Sequence, residues 1–361
     1  MVDASVVNVP EKFKNHPLFT KPVCGMNFGF MSKRGYFEKE EVLKQPELMA
    51  KTGVNFVTVN MNFCLENFAS RHLFLDFEYS IGELELLNMV KKLHENGIKV
   101  LFKPCMTPLD GMWMGSVDFP TGHQIQTVNI DYWKEFFESF IKAECYFAEL
   151  ATKIEADALL IGCEYKGLEA QGKYWEEIIN LVRERYDGPI SYEITPTRYD
   201  GDPEATPDEN LYWFNKLDFL SYSFYPPAAP EVEPIKDSPH FTVEEMMDYL
   251  SVRKETVKRF SKNYGNKPVV FTEYGTRSAH GCIIRPWDAI TETYYDGEEQ
   301  ANFMEASLKT FWDLPQWMGM FWWKWDETQN RPMHHDEEGV DKGFTIQGKP
   351  AENVLKRWFL K

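Results

Sequence analysis

Two glutamates close hydrophobic runs in the same way. Glu164 follows the run in "ADALLIGCEYKG" (156–167), and Glu273 follows the run in "KPVVFTEYGTRSA" (267–279). In each, an apolar stretch of strand length stops at a small residue and an acid comes next. One acid at a strand end is commonplace. Two that face each other can divide labour: one protonated and assisting departure of an oxygen, the other ionised and attacking carbon or activating water. That division is what cleavage of a glycosidic bond requires. Repulsion and unequal burial drive two such pKa values apart, so both roles coexist at one pH. The gap between the carboxyl groups decides the outcome. About 5 Å gives a covalent intermediate and retention, whereas roughly 6.5–9.5 Å admits a water and gives inversion. Sequence does not fix that gap.

Aromatic residues supply the matching surface. "WMGMFWWKW" (317–325) holds Trp322, Trp323 and Trp325, and strand alternation sends 323 and 325 to one face and 322 to the other. Pyranose rings present C–H faces that lie well on indoles, so this group and Trp113 in "DGMWMG" are expected sugar platforms. Tyr225, ending "SYSFYP" beside the Glu273 run, is placed to hydrogen-bond that carboxylate; Tyr222 is the alternative and is directed into the barrel or the helix layer. Asn60, Lys103, Glu193, Thr195 and Arg277 are further polar residues at strand ends. Lys103 interrupts the apolar "LFKPCM", so contact with a substrate hydroxyl or a carboxylate is expected of it. His334, His335 and Asp336 in "RPMHHDEEG" are adjacent rather than spaced as ligands, and the expectation is a loop lining the distal cleft without a metal. No Walker loop, HExxH, GxSxG or zinc-ribbon spacing occurs, and no cofactor is expected.

Such residues need a scaffold. Strand-like runs at 22–28, 55–63, 98–106, 157–164, 189–195, 217–226, 267–273 and 317–325 alternate with helix-like segments. The helices are expected at 38–52, at 80–97 with Leu84, Leu87, Val90 and Leu93 as its stripe, and from a cap at Asp131 to about 154. Others follow at 173–188, at 241–265 with Thr242 and Glu245 in capping-box spacing, at 298–313 and at 350–359. Between strands five and six, "TPDENLYWFNKL" supports only a short helix. Eight strands with crossovers predict an α/β chain folded as one (β/α)8 TIM barrel over residues 1–361, with 1–20 as a lead-in. A doubly wound sheet is the competing fold, and it is disfavoured because no GxGxxG follows the first strand. In a barrel, residues just past the strand C-termini converge on one mouth, and strands four and seven stand nearly opposite. The long loops after strands three (107–130), six (226–240) and eight (326–349) open on that face.

Composition agrees. Of 361 residues, 43% are hydrophobic and 15% aromatic, enough for a large core and too much for disorder. The formal charge of −17, from 56 acids and 39 bases, excludes a sequence-independent grip on nucleic acid or anionic lipid. No run approaches the ~20 apolar residues of a membrane span, and the first residues lack the pattern of a secretory signal. A cytoplasmic protein is expected, or a secreted one if a leader was removed. Six cysteines without a CxxC are expected as buried free thiols in a reducing compartment.

The chain resembles the large clan of retaining glycoside hydrolases built on (β/α)8 barrels, and most closely glycoside hydrolase family 113, chiefly β-1,4-mannanases. The likeness runs through "GMNFGF", "GVNFVTVN", "HENGIKVLFKP", "ADALLIGCEYKGLE", "LDFLSYSFYP", "KPVVFTEYGTRS" and "FWWKW". The resemblance implies that Glu164 is the acid/base, Glu273 the nucleophile and Tyr225 its orienting aromatic. It implies too that Trp323, with Trp325 as near alternative, floors subsite −1. It departs from most of the clan at Cys163, where an asparagine usually precedes the acid/base; family 113 resembles this chain in lacking it. The implied activity is endo-hydrolysis of β-mannan, glucomannan or mannooligosaccharides by double displacement. Alternatives are another β-glycosidase of the clan (exo-β-mannosidase, xylanase, galactanase or glucanase) or a barrel that only binds carbohydrate. Oligomeric state stays open, and a monomer would suffice.

Overall fold

The computed structural model describes residues 12, 19–125, 127–195, 209–336 and 339–360. Most of the expected 1–20 lead-in therefore lies outside the described residues. Eight parallel strands close a barrel: β1 (Val23–Phe28), β2 (Phe56–Leu65), β3 (Lys99–Pro108), β6 (Ala158–Cys163), β7 (Ile190–Ile194), β8 (Leu220–Ser223), β9 (Val269–Tyr274) and β10 (Trp317–Trp322). Their order around the barrel is their order in the chain, with β10 pairing back onto β1. A small antiparallel hairpin, β4 (His123–Ile125) with β5 (Val128–Ile130), sits in the connection after β3. The fold is the expected (β/α)8 barrel.

The helices are α1 (Glu40–Leu43), α2 (Gln45–Lys51), α3 (Glu83–Glu95), α4 (Tyr132–Lys153), α5 (Gly172–Arg183), α6 (Val243–Ser251), α7 (Arg253–Asn263), α8 (Gly297–Phe311) and α9 (Pro350–Phe359). Their ends follow local chemistry. Asp131 accepts from the Lys134 amide at 3.0 Å and starts α4. Thr242 and Glu245 form the expected capping box on α6. Two expectations shift. The segment 241–265 is two helices, broken around Val252. The stripe of α3 is Leu86, Met89, Val90 and Leu93, while Leu84 is 66% exposed. Between β7 and β8 the weak helix signal corresponds to a 3-10 turn over Glu209–Lys216.

Period-two alternation divides each strand. Val57, Val59, Val100, Phe102, Leu159, Ile161, Val269 and Phe271 join the large core shared with the helices. Their neighbours Val23, Phe56, Leu101, Ala158, Leu160, Val270 and Phe321 form a separate apolar plug with Phe19, filling the barrel interior. Farther along the strands the interior turns polar: Asn27, Thr58, Asn60, Lys103, Ser191, Glu193 and Ser221 are all buried there. They satisfy one another, for example Thr58 Oγ1 donating to Asn27 Oδ1 at 2.6 Å and Ser221 Oγ to Ser191 Oγ at 2.8 Å.

Candidate active site

Two register shifts aim the acids. On β9, Tyr222 pairs with Phe271 but Ser223 pairs with Glu273, so Thr272 is an extra residue in the ladder. Without it Glu273 would share the helix-facing side of Phe271; with it Glu273 joins the interior side of Ser223. Tyr274 then returns outward, hydrogen-bonded to Ser307 of α8 at 2.8 Å. On β6, Leu160 pairs with Ser191 and Cys163 with the interior Glu193, another slip. The chain then turns sharply, because Glu164 has φ +58 in the left-handed region, uncommon for a side-chain-bearing residue. Its amide still reaches the Glu193 carbonyl at 2.8 Å.

Glu164 and Glu273 line one cavity of about 640 Å³ at the strand C-termini, with Trp113, Thr195, Tyr225 and Trp323. Their surroundings differ. Glu273 is 7% exposed and both its oxygens are held: Lys103 Nζ donates to Oε1 at 2.5 Å and the Tyr225 hydroxyl to Oε2 at 2.9 Å. Lys103 also donates to Glu193 Oε1 at 2.7 Å, and the Cys163 thiol donates to the same oxygen at 3.0 Å. Glu164 is half-buried, with one side-chain donor among the described residues, the Trp113 indole N–H at 3.1 Å from Oε2.

Burial dominates the electrostatics. It pushes the Glu273 carboxyl up to about 8, Lys103 opposing and Glu193 and Glu164 reinforcing the rise. Burial disfavours the Lys103 ammonium, but Cys163, Glu193 and Glu273 around it outweigh that and hold it well above the ordinary lysine value. Burial, with Glu273 and Glu164, pushes the Tyr225 phenol well up, so it stays a donor. The trio Cys163, Glu193 and Glu273 brings three ligand-type atoms close together. The Lys103 ammonium already bonds both carboxylates, so it supplies the cation there.

Backbone packing sets the floor. The Trp323 amide donates to the Tyr274 carbonyl at 2.8 Å, and a Cβ on Gly275 would meet the Trp323 carbonyl oxygen at 2.7 Å. Glycine at 275 is what lets the two strand ends approach. The Trp323 ring meets Phe30 edge-on at 4.7 Å.

Several sequence candidates do not reach the cavity. Trp325 is buried away from it, with its indole N–H on Gln45 of α2 at 2.9 Å; the strand ends at Trp322, so alternation no longer couples 323 to 325. Tyr222 packs against Phe260 in the helix layer. Asn60 Nδ2 donates to the Phe28 carbonyl at 3.0 Å inside the barrel. Arg277 is buried and donates to the Thr291 carbonyl at 2.7 Å, bracing its own loop. Lys103 and Glu193 stand behind Glu273. His334 is buried, hydrogen-bonded to the Ala289 carbonyl at 3.0 Å and 3.5 Å from Glu327. It ties the loop after β10 to the loop after β9 and takes no place in the cavity.

Sequence reasoning missed Phe30, Trp287, Ala289, Gln329, Arg331 and Phe344, which also line the cavity. Trp287, in "IIRPWDAI" beyond β9, carries the same signal as Trp113, a tryptophan in a long loop on the catalytic face. Arg331 gives no such signal.

A (β/α)8 barrel with a buried, doubly held glutamate at the end of its seventh strand and a more open one just after its fourth defines a glycoside-hydrolase scaffold. The model of Glycoside Hydrolase Family 113 matches residues 26–349, and the chain belongs to that family. Among solved structures, a GH113 β-1,4-mannanase complex is similar with a TM-score of 0.75 at 23% identity, covering 94% of this chain and 99% of the other. The GH113 β-mannanase AaManA of Alicyclobacillus acidocaldarius, in complex with ManMIm, gives 0.75 at 24% identity, with 94% and 97% covered. A β-glucuronidase from Ruminococcus gnavus is more distant, at 0.55 and 15% identity, covering 94% of this chain and 49% of the other. These identities establish shared fold. No curated protein matches the sequence closely enough to count as a relative.

Proposed function

We propose that the protein is a retaining endo-β-1,4-mannanase in which Glu273 is the nucleophile and Glu164 the acid/base. The observation that carries the assignment is the asymmetry of the two acids. A nucleophile must be held in one orientation, and Glu273 has a donor on each oxygen. An acid/base must exchange protons with water between steps, and Glu164 is the half-buried one. Family membership and the mannanases among the similar structures support the substrate class.

Glu273 attacks the anomeric carbon of the −1 mannosyl unit while Glu164 protonates the departing oxygen. Glu164 then takes a proton from the water that releases the sugar. Tyr225 and Lys103 keep the attacking oxygens aligned. Trp323 offers its face to the −1 ring, and Trp113 both contacts sugar and steadies Glu164. The six free thiols suit work in a reducing compartment on short oligosaccharides.

Incubation with a 2-fluoro-mannosyl fluoride, followed by digestion and mass spectrometry, is expected to place the trapped sugar on Glu273. An adduct on Glu164 would exchange the roles, and inversion at the anomeric carbon would remove the covalent step. Glu164→Gln and Glu273→Gln should each lower kcat on mannohexaose by about 10³-fold or more. Mannose as sole early product would make the enzyme exo-acting, and preference for xylan, galactan or cellulose oligomers would move it to another substrate.

A further inference from the structure

A second cluster of chemistry-bearing groups lies outside the cavity. His240 follows β8, His280 lies in the connection after β9, and Asp296 and Glu299 open α8. One ligand atom from each falls within 4.8 Å of all the others. Asp296 Oδ2 is 3.1 Å from His280 Nδ1 and 3.2 Å from His240 Nδ1, and Glu299 Oε2 is 3.5 Å from His280 Nδ1. Ligands on a tetrahedral zinc with bonds of 2.0–2.1 Å stand about 3.3–3.4 Å apart, so these spacings match a shared ion.

The hydrogen-bond pattern argues the same way. His280 Nε2 faces the Ser238 carbonyl at 2.9 Å and must carry a hydrogen to bond it. This is the outward bond that usually orients a metal-bound imidazole, and it leaves Nδ1 to face the two carboxylates. Asp296 uses Oδ1 to cap α8, accepting the Glu299 amide at 2.9 Å, and leaves Oδ2 for the cluster. Glu299 is 4% exposed, and neither of its carboxylate oxygens accepts a hydrogen bond of ordinary geometry, although the Gly281 and Ile283 amides act on it. The Gly281 and Ile283 amides and the His280 ring at 3.5 Å hold this buried carboxylate only loosely, which leaves room for a closer cationic partner. The partial positive charge at the start of α8, about half a unit, is outweighed by two carboxylates.

We infer that His240, His280, Asp296 and Glu299 form a binding site for one divalent transition metal ion, with zinc as the best-fitting occupant. Two imidazoles with two carboxylates disfavour calcium and magnesium, which prefer oxygen alone. The ion would fasten the segment after β8 to the connection after β9, the same connection that sends Trp287 and Ala289 into the cavity. Its role is structural, and it stands apart from the carboxylates that cleave the substrate.

The test uses the full chain, stripped with a chelator, dialysed and titrated with zinc chloride. One equivalent is expected to bind, and at about 100-fold excess over Kd the melting temperature should rise by about 3–6 °C. Cobalt(II) in its place should give a visible d–d absorption band. His240→Ala alters an exposed side chain and leaves the fold intact; it should weaken zinc binding about 10-fold or more. Glu299→Gln, which keeps size and burial, should do the same. Absence of bound metal and of any thermal shift would show that a proton on His280 satisfies the cluster, and would overturn the site. A shift that survives both substitutions would place the ion elsewhere and overturn it equally.

Discussion

Lys103 brings one positive charge to two buried carboxylates, and that ratio governs how the cleft responds to pH. Burial raises the Glu273 carboxyl to about 8, and Lys103 is the group that restrains the rise. Inactivation by the 2-fluoro-mannosyl fluoride, whose fluoride leaves without a proton from Glu164, has an acid limb that reports ionisation of this network. The inactivation rate is therefore expected to climb as pH rises toward about 8. Replacing Lys103 by Gln removes the restraint, so the Glu273 pKa goes higher and less of it is ionised at a given pH. The acid limb should then move to higher pH by roughly 1–3 units. Removing one partner of a buried pair costs about 3–5 kcal/mol; the double variant with Glu193→Gln should restore folding. A pH profile of that double variant identical to the profile of Glu193→Gln alone would mean that Lys103 does not tune Glu273. The lysine was visible in the sequence as a break in an apolar run, but its partners were not. Nothing in "LFKPCM" says that a carboxylate 90 positions on and another 170 positions on would meet it.

At the scale of elements, the connection after β3 carries Trp113 over the cleft, and its seat is a glycine. A Cβ on Gly115 would lie 2.4 Å from the Trp113 ring, and the Gly115 carbonyl accepts the Gly167 amide of the β6–α5 connection at 3.2 Å. Gly115→Ala should push the indole off Glu164 and raise KM for mannohexaose about 10-fold, the size of one lost contact of 1–1.5 kcal/mol. Trp113→Ala should match it; a normal KM in both would leave Trp113 without a part in binding. The elements themselves were legible because each strand of a barrel is an apolar run between turn-forming residues. Six strand starts fell within one residue of the simplest reading: Val23, Phe56, Lys99, Ala158, Ile190 and Trp317. The register slips at Thr272 and between Leu160 and Cys163 were not legible, since a bulge is fixed by pairing across strands. By plain alternation Glu273 would have faced the helices with Phe271. Trp325 was misplaced because alternation was carried past the end of β10. Asn60 and Arg277 looked like substrate ligands because they are polar at strand ends; in three dimensions they serve backbone carbonyls.

The whole molecule carries a formal charge of −17, and a neutral polysaccharide does not feel it. Raising sodium chloride from about 20 to about 500 mM should change kcat/KM on mannooligosaccharides by less than about twofold. Strong acceleration by salt would identify an acidic substrate repelled at low ionic strength. The barrel also has two unlike ends. The polar network of Asn27, Lys103 and Glu193 opens on the cavity, while Phe19, Phe56, Leu101 and Phe321 fill the interior behind it. That plug makes the barrel axis a dead end for traffic. Among the described residues no passage runs along the barrel axis, so a sugar chain enters the cavity and leaves it from the same side. Both halves of a cut chain leave by the door through which the whole one came.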